Sequence, residues 1–143
     1  MIETKHRPFL GITIGDPSGI GPEIILKALD EEGIYEICKP VVLGPEEVLT
    51  RAGKVIGKES LNIHKIENPK DGIYEKGTID IIEPGKYDLE TLVWGKEQAL
   101  AGQIAIDSIK LSIKLGMEKK LDAVTTAPIN KIAIKMVGVK QEG

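Results

Sequence analysis

The sequence predicts an α/β fold: a mostly parallel sheet with helices on both faces. Three stretches carry that expectation, at residues 9–29, 40–53 and 122–137. Each is a short apolar run, then a turn containing glycine or proline, then apolar residues at helical spacing. Strands that alternate with helices pair in parallel, because each crossover helix returns the chain to the same end of the sheet.

The first stretch organises the others. Phe9 to Ile14 reads as a buried strand stopped by Gly15, and the loop that follows holds Gly15, Asp16, Gly19 and Gly21, three glycines in seven residues. Pro22 suits a first helical turn, where its missing N–H would have no partner. Glu23 places a negative charge beside the positive end of the helix dipole. Ile24, Ile25, Ala28 and Leu29 then recur at helical spacing toward Gly33. A glycine loop can leave backbone N–H groups uncovered beside a helix N-terminus, which makes this corner a candidate anion or cofactor site. The alternative is a turn that needs glycine only for its backbone angles. The spacing G-x-x-x-G-x-G matches neither the Rossmann nor the P-loop fingerprint.

Pro40–Leu43 reads as a second strand, and Pro45 to Leu49 opens a helix that closes at Gly53. Gly44-Pro45-Glu46 repeats the punctuation of Gly21-Pro22-Glu23. Leu61 to Ile66 alternates apolar and polar residues, the pattern of a half-buried strand, and a turn-rich loop follows at 67–72. Thr78–Ile82 is a further short strand. Trp94 reads as a packing anchor ahead of the longest helix, expected from Lys96 to Leu115. That helix carries a stripe of Ala101, Ile104, Ala105, Ser108, Ile109, Ser112 and Ile113. Gly102 lies within the stripe and would let another backbone approach. Asp122–Thr126 is the last strand, and Asn130 is placed to cap a final helix ending at Gly138.

The turn after that last strand is a second corner. Thr125, Thr126, Asn130 and Lys131 offer two hydroxyls, an amide and a cation at the carboxyl end of a strand. In a parallel sheet this corner and the Gly15–Gly21 loop open on the same edge, where ligands of such sheets bind. Thr126, Asn130 and Lys131 are therefore candidates for holding an anionic substrate. For Lys131 the competing reading is a solvated helix residue.

Composition narrows the classes. Nineteen Lys and Arg against 22 Asp and Glu leave a net charge of −3, which points to no nucleic acid and no anionic membrane as partner. Aromatic residues make up 3%, so the core must be aliphatic. Cys38 is the lone cysteine, which excludes an internal disulfide, fits a reducing cytoplasmic setting, and reads as a small buried apolar side chain. No apolar stretch is long enough to span a bilayer, and Met1–Arg7 lacks a signal-peptide core. His6 lies near the chain start and His64 in the alternating strand, too far apart in sequence for a metal signature.

I-T-I-G-D-P-S-G-I-G-P-E-I-I-L-K-A-L at 12–29 and V-T-T-A-P-I-N-K at 124–131 resemble signatures of the 4-hydroxythreonine-4-phosphate dehydrogenase family. That family includes relatives acting on D-threonate or D-erythronate 4-phosphate, and a branch that oxidises a terephthalate-derived cis-dihydrodiol. The resemblance implies a fold like that of isocitrate and isopropylmalate dehydrogenases. It also implies a metal- and NAD- or NADP-dependent oxidation of a phosphorylated hydroxy acid with decarboxylation, leading toward pyridoxal 5′-phosphate. By this similarity Gly15, Asp16, Gly19 and Gly21 border the cofactor, and the full-length protein is a homodimer. Family members run to about twice this length, so residues 1–143 are expected to be an N-terminal portion, incomplete as a fold, with no internal boundary. The family's Gly-His-Thr-Glu segment would begin at Gly143. Its divalent-metal ligands (for Zn, Mg or Co) and its phosphate-binding residues match no position here. A standalone α/β module that binds an anion or metabolite without catalysis is the alternative.

Overall fold

The computed structural model describes residues 6–58 and 60–139. The first five residues of the Met1–Arg7 stretch, and Gly143, lie outside them. Five strands, β1 (Phe9–Thr13), β2 (Lys39–Leu43), β3 (Asn62–Lys65), β4 (Thr78–Ile82) and β5 (Ala123–Thr126), form one sheet in the order β3-β4-β2-β1-β5. Every neighbouring pair is parallel, as the alternating pattern requires. Among the described residues five α-helices accompany them: α1 (Gly21–Ala28), α2 (Ile34–Ile37), α3 (Glu46–Val55), α4 (Ala99–Met117) and α5 (Lys131–Met136).

Both faces of the sheet are covered, so adjacent residues of the inner strands serve different clusters. Ile12, Val42, Ile79 and Ile81 pack with Ile25, Leu26, Leu29, Val48, Leu49 and Ala52 of the α1–α3 layer. Val41, Leu43 and Ile82 pack instead with Tyr35, Tyr74, Leu115 and Leu121. Alternation in side-chain direction, with apolar residues at both parities, is the signature of a strand buried on two faces. Ile14, Leu26, Leu43, Leu49, Ile81 and Ile104 are fully buried. Each removes apolar surface worth about 1.5–3 kcal/mol from water, and the core is aliphatic as the composition requires.

Several boundaries differ from the sequence reading, each for a local reason. The first helix ends at Ala28, and Gly33 caps the short α2 rather than closing α1. Asp30, Glu31 and Glu32 follow directly, and acidic charges oppose the negative end of a helix dipole. Helix α4 begins at Ala99 instead of Lys96, because Gly95 has φ +72° and Gln98 is extended. Its buried face continues to Leu115, whereas Ile113 is 56% exposed and Ile109 half-buried; those two lie one residue round the helix from Ser112 and Ser108. Trp94 is exposed and stacks on Arg51 instead of anchoring the core. Cys38 is buried, as expected, and burial pushes its thiol pKa up.

Asp80 of β4 is a charged residue wholly inside. His64 Nδ1 lies 2.8 Å from its Oδ1, and the amides of Ile73 and Tyr74 donate to its two oxygens at 2.9 and 2.8 Å. A buried carboxylate persists only when such partners replace water. It fixes the 72–77 turn, in which Tyr74 takes φ 54°. His64 is thus an edge-strand residue with a structural partner. Asp80→Asn would turn an N–H toward those donors and should lower unfolding stability by about 1–3 kcal/mol in urea titration. An unchanged midpoint would contradict the role given to this carboxylate.

Gly102 does what its place in the stripe implies. A β carbon there would lie 2.0 Å from the carbonyl oxygen and 2.5 Å from the carbonyl carbon of Ala133, so α5 crosses α4 with no room for a side chain. Alanine gains about 1 kcal/mol over glycine in helix propensity. Overpacking against a backbone that cannot yield costs about 1–3 kcal/mol or more. Gly102→Ala should therefore lower the urea midpoint; a higher midpoint would show that propensity wins and that the helices are less closely apposed.

Candidate functional site

The sheet order puts β1 between β2 and β5. The chain leaves β1 toward β2 on one side and reaches β5, by way of α4, on the other. The carboxyl ends of β1 and β5 thus flank the point where strand order reverses, the usual ligand position in open parallel sheets. Three segments meet there: the loop 14–21 after β1, the corner 127–130 after β5, and the strap 92–98 before α4.

Each pair of segments is joined. The Asp16 N–H donates to the Pro128 carbonyl at 2.8 Å, tying loop to corner. The Gly95 N–H donates to the Ser18 carbonyl at 2.8 Å, and Gln98 Nε2 reaches Ser18 Oγ at 2.9 Å, tying strap to loop. Asn130 Nδ2 donates to Glu97 Oε1 at 3.2 Å, tying corner to strap. Between them lies an open cleft of about 590 Å³ lined by Asp16, Ser18, Gly19, Gly95, Lys96, Glu97 and Asn130.

The candidate residues divide accordingly. Asp16, Gly19 and Asn130 line the cleft. Gly15 and Gly21 are buried and hold the two corners together: a β carbon on Gly15 would lie 2.4 Å from the Pro128 oxygen, and one on Gly21 would lie 2.9 Å from the Ile14 oxygen and 3.2 Å from Ala127 Cβ. Of the loop glycines, Gly15 is the one with positive φ, +71°. Thr126 is exposed on β5, in register with Thr13, and Lys131 is exposed as the first residue of α5. Neither lines the cleft. Asn130 also does what its position before the helix predicts, accepting the Ala133 N–H at 3.0 Å.

Ser18, Gly95, Lys96, Glu97 and Gln98 were not among the sequence candidates. The helix expected from Lys96 takes in residues 96–98 of the strap, and Gly95, three residues ahead of the actual N-cap, is the available sign that it starts later.

Three of the loop amides are taken up within the fold. The amides of Asp16, Ser18 and Gly19 are already engaged, with the Pro128 carbonyl, with Asp16 Oδ1 at 2.9 Å and with the Asp16 carbonyl at 3.1 Å. The charged groups facing the cleft are Asp16, Glu97 and Lys96. Burial is the largest influence on Asp16 and pushes its pKa above the ordinary carboxylate value; the Ser18 N–H opposes this, and Glu97 adds a further push upward. Such a lining suits hydroxyls, amides or a cationic group better than a phosphate. Among the described residues no three His, Cys, Asp or Glu side chains are grouped to hold a metal.

A cleft at the strand-order reversal of a fully parallel sheet, flanked by a glycine loop, defines an α/β domain of the doubly wound class. The chain belongs to the family described as pyridoxal phosphate biosynthetic protein PdxA, whose model matches residues 36–143. It is 47% identical over 129 residues to a protein of Symbiobacterium thermophilum named "Putative D-threonate 4-phosphate dehydrogenase", covering 90% of this chain and 38% of that one. It is 41% identical over 140 residues to the 4-hydroxythreonine-4-phosphate dehydrogenase of Desulforapulum autotrophicum, covering 98% and 41%. The crystal structure of a 4-hydroxythreonine-4-phosphate dehydrogenase from Burkholderia phymatum superposes with a TM-score of 0.90 at 37% identity, over 97% of this chain and 42% of that one. The chain therefore spans about two fifths of the length of these relatives. No helix among the described residues is long and apolar enough to cross a membrane.

The raised pKa of Asp16 has a sign that can be checked. A carboxyl whose folded pKa exceeds its unfolded value favours the folded state most below the unfolded value, near 3.8, and loses that contribution as pH rises through the folded one. Asn keeps an oxygen to accept the Ser18 N–H but carries no charge. Asp16→Asn should thus melt at or above the parent at pH 7, with the gap closing toward pH 4. A variant less stable than the parent at pH 7 would show that the carboxylate is favourably paired there.

Proposed function

We propose that this chain is the N-terminal portion of a metal- and NAD(P)-dependent oxidoreductase. Its substrate would be a phosphorylated hydroxy acid, 4-phosphohydroxy-L-threonine or a threonate or erythronate 4-phosphate, oxidised with decarboxylation on the way to pyridoxal 5′-phosphate. The observation that carries this is the PdxA match together with the polar cleft where β1 and β5 end. In this reading the cleft is one wall of the cofactor site. Asp16, Glu97 and Asn130 offer acceptors and a donor to ribose hydroxyls or a carboxamide, and Gly19 lets the cofactor approach the loop closely. The nicotinamide ring, when bound, supplies the hydride acceptor. The second corner, with Thr126, Asn130 and Lys131, faces the phosphorylated substrate.

The metal of this reading does not fit the described residues. Their two histidines are His6 and His64, and His64 Nδ1 is engaged by buried Asp80. The ligands would come from outside this chain, as would the second half of a homodimer, and the working compartment would be the cytoplasm. No step is drawn through the metal.

The competing reading is a standalone module that binds an anion or metabolite without catalysis, and the two carboxylates that face the cleft weigh against an anion there. Calorimetric titration with NAD⁺, NADP⁺ and D-threonate 4-phosphate separates the two. The dehydrogenase reading expects a nicotinamide dinucleotide to bind the 143-residue chain, about tenfold more weakly after Asp16→Asn, equivalent to about 1.4 kcal/mol. It also expects no NAD(P)H formation from the chain alone with added Mg²⁺ or Zn²⁺. Binding of the phosphorylated acid without any dinucleotide binding would favour the module.

A further inference from the structure

We propose that Gln98 is a positioning residue: its side-chain amide latches the strap 92–98 onto the glycine loop and so sets the width of the cleft. The proposal rests on reading that cleft as a cofactor wall. Gln98 precedes α4 in extended backbone, φ −151° and ψ 151°, yet its side chain makes no capping bond to that helix. An N-cap position ordinarily carries a short side chain that accepts from the first helical amides. Here a long amide turns the other way. Its Nε2 reaches Ser18 Oγ at 2.9 Å, the Val93 carbonyl at 2.6 Å and the Lys96 carbonyl at 3.2 Å, while its Oε1 accepts the Val93 N–H at 3.3 Å. Two N–H groups facing three acceptors must share a hydrogen, and the set clasps the strap from both ends of its turn.

The other end of the clasp is firm. Ser18 is 4% exposed, and its carbonyl holds the Gly95 N–H. Gly95, Lys96 and Glu97 then stand across from Asp16 and Gly19 as the opposite wall. Arg51 holds only the start of the strap, through the Leu92 carbonyl at 3.3 Å and the Trp94 ring at 4.6 Å. Gln98 is the side chain that joins the strap to the loop carrying Asp16. Without it, the hydrogen bond that remains between residues 95–97 and that loop among the described residues is the Gly95–Ser18 backbone bond.

Three measurements on the 143-residue chain test this: exchange of the Gly95 amide by NMR, NAD⁺ affinity by calorimetry, and the thermal melt. Gln98→Met keeps length and volume but cannot hydrogen-bond, and Ser18→Ala removes the same contact from the other side. Each should raise Gly95 exchange by about tenfold and weaken NAD⁺ by a similar factor, with the melt nearly unchanged. The double variant should add little, because both substitutions break one interaction. Unchanged Gly95 exchange in both single variants overturns the latch. Faster exchange with unaltered NAD⁺ affinity overturns the positioning role and leaves a structural contact. If the parent chain binds no NAD⁺, the cofactor reading falls, and Gly95 exchange alone then decides whether the latch exists. Should Gln98→Met fail to fold, Ser18→Ala carries the test.

Discussion

The contact on which the site depends is the seating of Gly15 against the chain leaving β5. The backbone at Gly15 turns with φ +71°, and a β carbon would lie 2.4 Å from the Pro128 oxygen and 2.7 Å from the Ala127 oxygen. Only glycine satisfies both the angle and the space. The close approach brings the Asp16 N–H onto the Pro128 carbonyl, extending the β1–β5 pairing, in which the Ala127 N–H meets the Thr13 carbonyl at 3.1 Å, past the strand ends. Two strands distant in sequence thereby deliver their loops to one place. Asp16 and Asn130 face a common cleft because the segments carrying them are bonded side by side.

Closing the corners against each other decides the chemistry of the cleft. The Asp16, Ser18 and Gly19 amides are engaged within the loop and with Pro128, so side chains give the cleft much of its character. Burial pushes the Asp16 pKa upward, and the nearby Glu97 adds to that push. A glycine-rich turn before a helix is thus a weaker guide to anion binding than its composition implies. What counts is where its N–H groups go.

Much of the fold was legible because periodicity and punctuation agreed. The apolar runs at Phe9, Pro40, Thr78 and Asp122 became β1, β2, β4 and β5, and Leu61–Ile66 enclosed β3. Gly102 signalled the α4–α5 approach through its place in a small-residue stripe. What failed to show were features decided by tertiary contact. Residues 96–98 of the strap have a helix-like composition, and they are held out of the helix by Gly95 and by hydrogen bonds to Ser18, eighty residues distant from Gln98. Trp94 looked like a core residue by type, but its partner is Arg51 at the surface. Thr126 and Lys131 are exposed, on β5 and at the start of α5, and do not line this cleft.

The most direct test compares two glycines of one loop by urea unfolding. Gly15→Ala meets both a positive φ and a fixed backbone oxygen, and should lower stability by about 2 kcal/mol or more with little change in m. Gly19→Ala should be near neutral. Its φ is unexceptional, a β carbon would meet the Asp16 side chain at 3.2 Å and the Asp16 carbonyl oxygen at 3.6 Å, and alanine restricts the unfolded chain by about 0.4–1 kcal/mol. Equal effects at the two positions, or a Gly15→Ala chain as stable as the parent, would contradict the claim that the two corners are seated directly against each other.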